Sequence, residues 1–224
     1  MKLSFSPTPA QLSALKTAVF LAALWPLARL VHGALVDGLG ANPLEYVTHQ
    51  TGTWTFNFLL ITLTVTPLRQ LSGLHWLLRL RRMLGLFCFF YAALHFTTYL
   101  WFDQFFDLDS IARDILKRPF ITVGFAAFVL LVPLAATSNQ RAIRRLGGKR
   151  WQTLHRSVYL IGILAAIHYF WLVKITAIVY PLIYAALLAL LLAWRVRSRI
   201  ASYRPPAAVA PPAPQTIRFF RTRP

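Results

Sequence analysis

Phe89-Phe90-Tyr91-Ala92-Ala93-Leu94-His95-Phe96 and Ile163-Leu164-Ala165-Ala166-Ile167-His168-Tyr169-Phe170 each set one histidine deep in an apolar run. An ionisable side chain inside a bilayer is costly, and it is kept where it serves an ion, a proton or a cofactor. Whether these runs are membrane spans therefore decides the fold and narrows the function. A span needs about 20 mostly apolar residues. Both runs extend that far, over Met83–Phe102 and Gln152–Val173.

Four more segments read the same way. They are Leu12–Val36, interrupted by Lys16, Pro26 and Arg29; Thr53–Leu68, short and rich in threonine; Pro119–Ala136, stopped by Thr137-Ser138-Asn139-Gln140; and Ile175–Trp194, with Pro181 near its start. In chain order these are spans one to six. Only Lys174 separates five from six, which predicts a tight helical hairpin. The expected fold is an all-α integral membrane protein, a six-helix transmembrane bundle over residues 12–195. An N-terminal segment, 1–11, precedes it, and a basic, Pro- and Ala-rich tail, 196–224, reads as disordered. No cleavable signal peptide is expected, because the first apolar segment is long and no A-x-A-like site follows it.

Composition agrees. Of 224 residues, 57% are hydrophobic and 13% charged. A soluble domain carries about 25% charged residues, so a soluble enzyme and a wholly disordered chain are excluded. The net charge of +18 could suggest nucleic acid, but repeated apolar runs of span length do not belong to such proteins, and no nucleic-acid partner is expected. The charges sort by side instead. The N-terminus, the 69–82 loop, the 137–156 loop and the tail hold most of the Lys and Arg. All six acidic residues (Asp37, Glu45, Asp103, Asp107, Asp109, Asp114) fall on the other side. Lys and Arg in short loops stay inside, so both termini are read as cytoplasmic, with the basic side facing anionic lipid heads. The lone Cys88 excludes an internal disulfide and Cys-rich metal sites, and it reads as packing. Between spans three and four, Trp101–Arg118 has the spacing of an amphipathic helix lying on the outer interface, as an anchored loop or a surface for a partner.

His32, His49 and His75 lie near span ends and read as interfacial polar residues. His95 and His168 differ. Spans three and five run the same way, and the two histidines lie about 18 and 24 Å past Met83 and Gln152 at helical rise, both in the outer half. Two neutral imidazoles from neighbouring helices can hold one haem iron between them. The competing readings are a helix-to-helix hydrogen-bonded pair and a proton relay, the latter making the chain a proton-coupled transporter or channel. His155 lies about 20 Å nearer the cytoplasm than His168 and about 140° around the helix from it. It shares His168's face only if the helix is distorted. The matching place on span three holds Arg81 or Arg82, which are not iron ligands. A second, inner haem would need His75, Met83, a water or another ligand opposite His155. Arg81, Arg82, Trp76 and Trp151 line the inner face. They read as topology signals and belt anchors, or as contacts to haem propionates, a flavin phosphate or a quinone.

These residues are familiar as a set. Gly148-Lys149-Arg150-Trp151-Gln152-Thr153-Leu154-His155-Arg156, then His168-Tyr169-Phe170-Trp171, resembles the fifth-span signature of the MsrQ (YedZ) family. Arg81-Arg82-Met83-Leu84-Gly85-Leu86 with Tyr91 and His95 is similar to its third-span motif. Lys117-Arg118-Pro119-Phe120-Ile121-Thr122-Val123-Gly124 and Pro133-Leu134-Ala135-Ala136-Thr137-Ser138 resemble the two ends of its fourth span. The likeness covers roughly residues 10–200. That family sits within the ferric-reductase-like transmembrane group. The resemblance implies a bacterial inner-membrane haem b subunit of a methionine sulfoxide reductase system. It implies electrons taken from the quinone pool and passed to a periplasmic molybdenum-cofactor subunit, MsrP, which performs the repair. FMN is also associated with the family. The implied haem ligands are His95, His155 and His168. The wider group pairs histidines on both haem-bearing helices at a spacing like that of His155 and His168. Here only span five keeps the pair, so the resemblance implies one haem or two.

Overall fold

The structure, a computed structural model, describes residues 6–202. The first five residues and the tail from 203 onward, including the tail's expected disorder, lie outside the described residues. Helices α1 (Pro9–Leu35), α2 (Pro43–Ser72), α3 (Leu78–Thr98), α4 (Leu108–Lys117), α5 (Pro119–Ala136), α6 (Gln140–Leu146), α7 (Gly148–His155), α8 (Val158–Leu172) and α9 (Val179–Ser202) follow in order. Among the described residues there is no strand. Short 3-10 turns precede α3 and α9, and a π turn, Tyr99–Asp103, extends α3. Four helical stretches are long and apolar enough to cross a membrane: Pro9–Leu35, His75–Asp103, Pro119–Ala136 and Val179–Ser202.

Two expected spans take a different form. The short second span is part of the 30-residue α2, capped by Asn42 at its start and by left-handed Gly73 at its end. Its threonines are the reason it reads weakly. Thr51, Thr55, Thr62 and Thr64 each donate to the carbonyl three or four residues back, so their hydroxyls are satisfied without water. Asn57 accepts from the Tyr184 hydroxyl at 2.7 Å. α2 is the central helix, and Phe56, Phe58, Leu59 and Leu63 are buried in the core. Its buried face is packed against protein, where polar groups find protein partners. The fifth span is not one helix. α7 ends at His155, a turn at Arg156–Ser157 follows, and α8 starts at Val158. The 137–156 loop is thus largely helical, and the expected continuous Gln152–Val173 is broken. α9 continues to Ser202, past the expected boundary at 195. The amphipathic reading of Trp101–Arg118 corresponds to the π turn, a loop and α4.

Two antiparallel pairs dominate the packing, α2 with α3 and α5 with α8, while α9 joins α2 and α8. α1 touches the rest lightly, and its fixing point is unusual. Pro26 lies inside the helix and has no N–H to give, so the ladder is weakened there. The hydroxyl of Tyr91, on α3 and fully buried, occupies the next rung. It accepts from the Leu27 N–H at 3.2 Å and donates to the Ala23 carbonyl at 2.8 Å. A side chain inserted into the ladder is one of the physical causes of helix bending.

Candidate functional site: two histidines between two helix pairs

Each helix pair contributes one imidazole. His95, near the end of α3, leans on α2, and its Nδ1 lies 2.9 Å from the Thr48 carbonyl. His168, on α8, leans on α5, and its Nδ1 lies 2.7 Å from the Phe120 carbonyl. A carbonyl only accepts, so Nδ1 carries the proton in both rings and Nε2 keeps its lone pair. Both neighbours repeat one device. Gly52 follows Thr48 by four residues, and Gly124 follows Phe120 by four. Residues four apart share a helix face, so each glycine lies beside its carbonyl. A Cβ at Gly52 would stand 3.1 Å from His95 Cε1, and one at Gly124 only 2.7 Å from His168 Cε1 and Nδ1. The missing side chains let each ring lie flat enough on the backbone to reach its carbonyl.

The two ring centres are 6.2 Å apart and the planes 73° apart. Two imidazoles on opposite sides of one metal ion, each bonded at about 2.0 Å with about 1.1 Å more to the ring centre, place their centres about 6.2 Å apart. A separation of 6.2 Å between centres is the one that two imidazoles bound to one metal ion would have. Aromatic rings extend from the pair along the α3–α5 seam, with Phe96 4.6 Å from Phe128 and 5.8 Å from Phe125 between centres.

Residues 51–166, which include His95, Gly52 and Gly124 but end before His168, match the ferric reductase like transmembrane component family. A protein of Azospira oryzae, named protein-methionine-sulfoxide reductase heme-binding subunit MsrQ, is 59% identical over 98% of this chain and 94% of its own length. Proteins of the same name from Herminiimonas arsenicoxydans and Xanthomonas campestris are 54% and 50% identical, over 88% and 92% of this chain and 94% and 96% of theirs. The chain belongs to the MsrQ family. No solved structure matches it.

The other candidate residues of this MsrQ-family chain lie at the opposite end. His155 closes α7, where its ring stacks on Trp151 at 3.9 Å and its Nδ1 meets the Trp151 carbonyl at 3.1 Å. The Trp151 indole N–H donates to the Thr137 carbonyl at 3.0 Å. α5 rises about 20 Å between Gly124 and Thr137, which separates His155 from the histidine pair by that height. The helix break does not bring His155 to His168. Arg81 is half-buried on α3, Arg82 is exposed, and Trp76 sits in the 3-10 turn before them. His32, His49 and His75 are exposed near helix ends.

Three buried N–H donors at this end lack partners: Arg69 Nε, Trp76 Nε1 and Arg195 Nε. The rest of the Arg195 guanidinium donates to Tyr159 Oη at 2.9 Å and to the Leu63 carbonyl at 3.1 Å. Sequence reading missed Arg69 and Arg195 as site candidates, because in a basic loop every arginine looks like a topology signal. It also missed Gly52 and Gly124. The available signal was a glycine inside an apolar helix, which costs stability unless something needs its space.

Proposed function

We propose that this chain is the haem b subunit of a methionine sulfoxide reductase system. It relays electrons from the quinone pool, across the bacterial inner membrane, to a periplasmic molybdenum-cofactor subunit of the MsrP type, which performs the sulfoxide chemistry. The observation that carries this is the His95–His168 pair at 6.2 Å, each ring with its Nδ1 committed to a carbonyl. The family supports it, since relatives across nearly the whole length are named heme-binding subunits. In this reading α1, α2, α3, α5, α8 and α9 cross the bilayer. The basic end and both termini are cytoplasmic by the positive-inside rule, and the histidine end is periplasmic.

Haem bound between the rings supplies a one-electron iron centre. The chain's own residues do the rest. His95 and His168 offer Nε2 lone pairs from two helix pairs. The Thr48 and Phe120 carbonyls fix the tautomers and hold the rings in place. Phe96, Phe125 and Phe128 give a dry, apolar wall. We assign a haem to this pair; His155 stacks on Trp151 with its buried Nε2 unpartnered, and a second haem there would take a ligand other than imidazole opposite it. At the basic end, the buried, partnerless Arg69 Nε, Trp76 Nε1 and Arg195 Nε, together with Arg81, Arg82 and Trp151 at the same end, suit the oxygens of a quinol or of FMN.

Visible spectra of the purified protein, oxidised and reduced, with haem counted per chain, test the reading. At least one b-type haem per chain is expected. His95→Ala and His168→Ala abolish the haem of the pair, and His155→Ala keeps it. An unchanged Soret band in either of the first two variants refutes the assignment.

A further inference from the structure

His95 and His168 belong to different helix pairs, and the α3–α5 seam between those pairs is aromatic. Phe128 stacks on Phe96 and on Phe89, with centres 4.6 and 6.1 Å apart. Apolar burial is non-directional, so such a seam lets one helix slide on the other. Two imidazoles on one iron tolerate little sliding. Fixing the two pairs at the height of the rings takes directional bonds.

Those bonds converge on one carboxylate. Asp114 accepts from the Tyr99 hydroxyl at 3.1 Å and from Gln104 Nε2 at 3.2 Å, and Arg118 Nε lies 2.9 Å from its other oxygen. Among the described residues, every hydrogen bond from 78–104 to 108–136 ends on Asp114. The Asp114 side chain is only 12% exposed and Gln104 is buried, so the carboxylate relies on these partners more than on water.

Both sides of this clasp lead back to a histidine. Tyr99 caps α3, and its N–H donates to His95's own carbonyl. Its ring stacks on Phe96, centres 6.2 Å apart. Arg118 ends α4 and begins α5. Its N–H donates to the Asp114 carbonyl at 3.0 Å, and its carbonyl accepts from the Ile121 and Thr122 N–H groups at 2.9 and 3.1 Å. The Thr122 hydroxyl donates to the Ile115 carbonyl across the same corner. Two residues past Arg118 stands Phe120, whose carbonyl holds His168 Nδ1.

We infer that Asp114 is a positioning residue for the histidine pair: by clasping Tyr99 and Arg118 it holds α3 and α5 at the separation and rotation that let both rings ligate one iron. It acts through Tyr99 and the α4–α5 corner, and the inference rests on the haem reading above. The side-chain chemistry is specific. A carboxylate has two acceptor oxygens, whereas the amide of Asn turns one acceptor into a donor and cannot serve Tyr99 and Gln104 on one side and Arg118 on the other. Bonds to an ionised acceptor are also the stronger ones.

The test uses the haem-loaded full chain in nanodiscs. The low-spin EPR spectrum of the ferric form reads how the rings are set about the iron, and the signal of the pair is the one that His168→Ala removes. Haem loss to excess apomyoglobin reads how firmly they hold it. Asp114→Asn and Tyr99→Phe are expected to keep both histidines on the iron, to move the g values of that signal, and to speed haem loss about tenfold. Asp109→Asn, which removes the acid of the exposed 3.9 Å pair with Arg113, is expected to change neither readout. Tyr99→Phe deletes a single hydroxyl and decides the outcome if Asp114→Asn does not fold. Wild-type g values and loss rate in either variant overturn the inference, even where the melting temperature falls, because Asp114 is then an ordinary tie between helices. An equal effect in Asp109→Asn overturns it as well. A wild-type chain that binds no haem overturns the haem reading itself, and this inference with it.

Discussion

Gly124→Ala separates a ring-positioning role from ordinary helix packing. Alanine in a helix interior is ordinarily better than glycine by about 1 kcal/mol. Here its Cβ would stand 2.7 Å from His168 Cε1 and Nδ1, where ordinary contact begins near 3.4 Å. The ring must retreat by the difference, about 0.7 Å, which stretches its 2.7 Å bond to the Phe120 carbonyl beyond the usual limit of about 3.2 Å. Losing that bond costs about 0.5–1.5 kcal/mol, close to the gain in helix propensity, so the unfolding free energy barely moves. Ligation does move, because loss of a ligand's outer hydrogen bond typically weakens metal binding about 10–100-fold. Haem titration into the purified apoprotein, with the low-spin EPR spectrum of the ferric form, reads both effects. Gly52→Ala, with a 3.1 Å contact, is expected to give a smaller loss. Gly148→Ala, where a Cβ meets nothing within 4 Å, is expected to give none. If Gly124→Ala binds haem as tightly as Gly148→Ala and with the same EPR signal, the cradle argument is wrong.

Two further outcomes follow from the structure. Tyr91→Phe removes the hydroxyl that sits between Leu27 N–H and the Ala23 carbonyl, and is expected to lower unfolding stability by about 1–3 kcal/mol with haem per folded chain unchanged; an unaltered denaturation curve would show the ladder closes without it. Arg81→Gln/Arg82→Gln is expected to slow reduction by a short-chain quinol at least tenfold while the Soret band stays as it was, and unaltered donor kinetics would leave these arginines with a topological role alone.

Much of this architecture is legible in the residues. Apolar length marks most of the helices, and helical rise along the third and fifth expected spans puts His95 and His168 toward the same end, where their rings stand 6.2 Å apart. What sequence reading loses has particular causes. The threonines of α2 look too polar for a span, because a one-dimensional scale counts Thr62 as exposed polarity when its hydroxyl is spent on the Phe58 carbonyl. The break at Arg156–Ser157 carries no proline or glycine to announce it. The roles of Gly52 and Gly124 depend on rings that arrive from 43 and 44 residues away in sequence, and local pattern has no access to them.

The Tyr91 hydroxyl inside the α1 ladder has one more implication. A helix packed only by side chains can creep along its neighbour, trading one set of van der Waals contacts for a similar one. α1 has no such freedom, because a foreign atom is stitched into its backbone at a single rung. Moving one residue either way would bring a rung without the Pro26 gap to Tyr91 and swing the helix face by about 100°. The first helix is thus fastened like a pin through a hasp: it can tilt about that point, and its register is set by one oxygen.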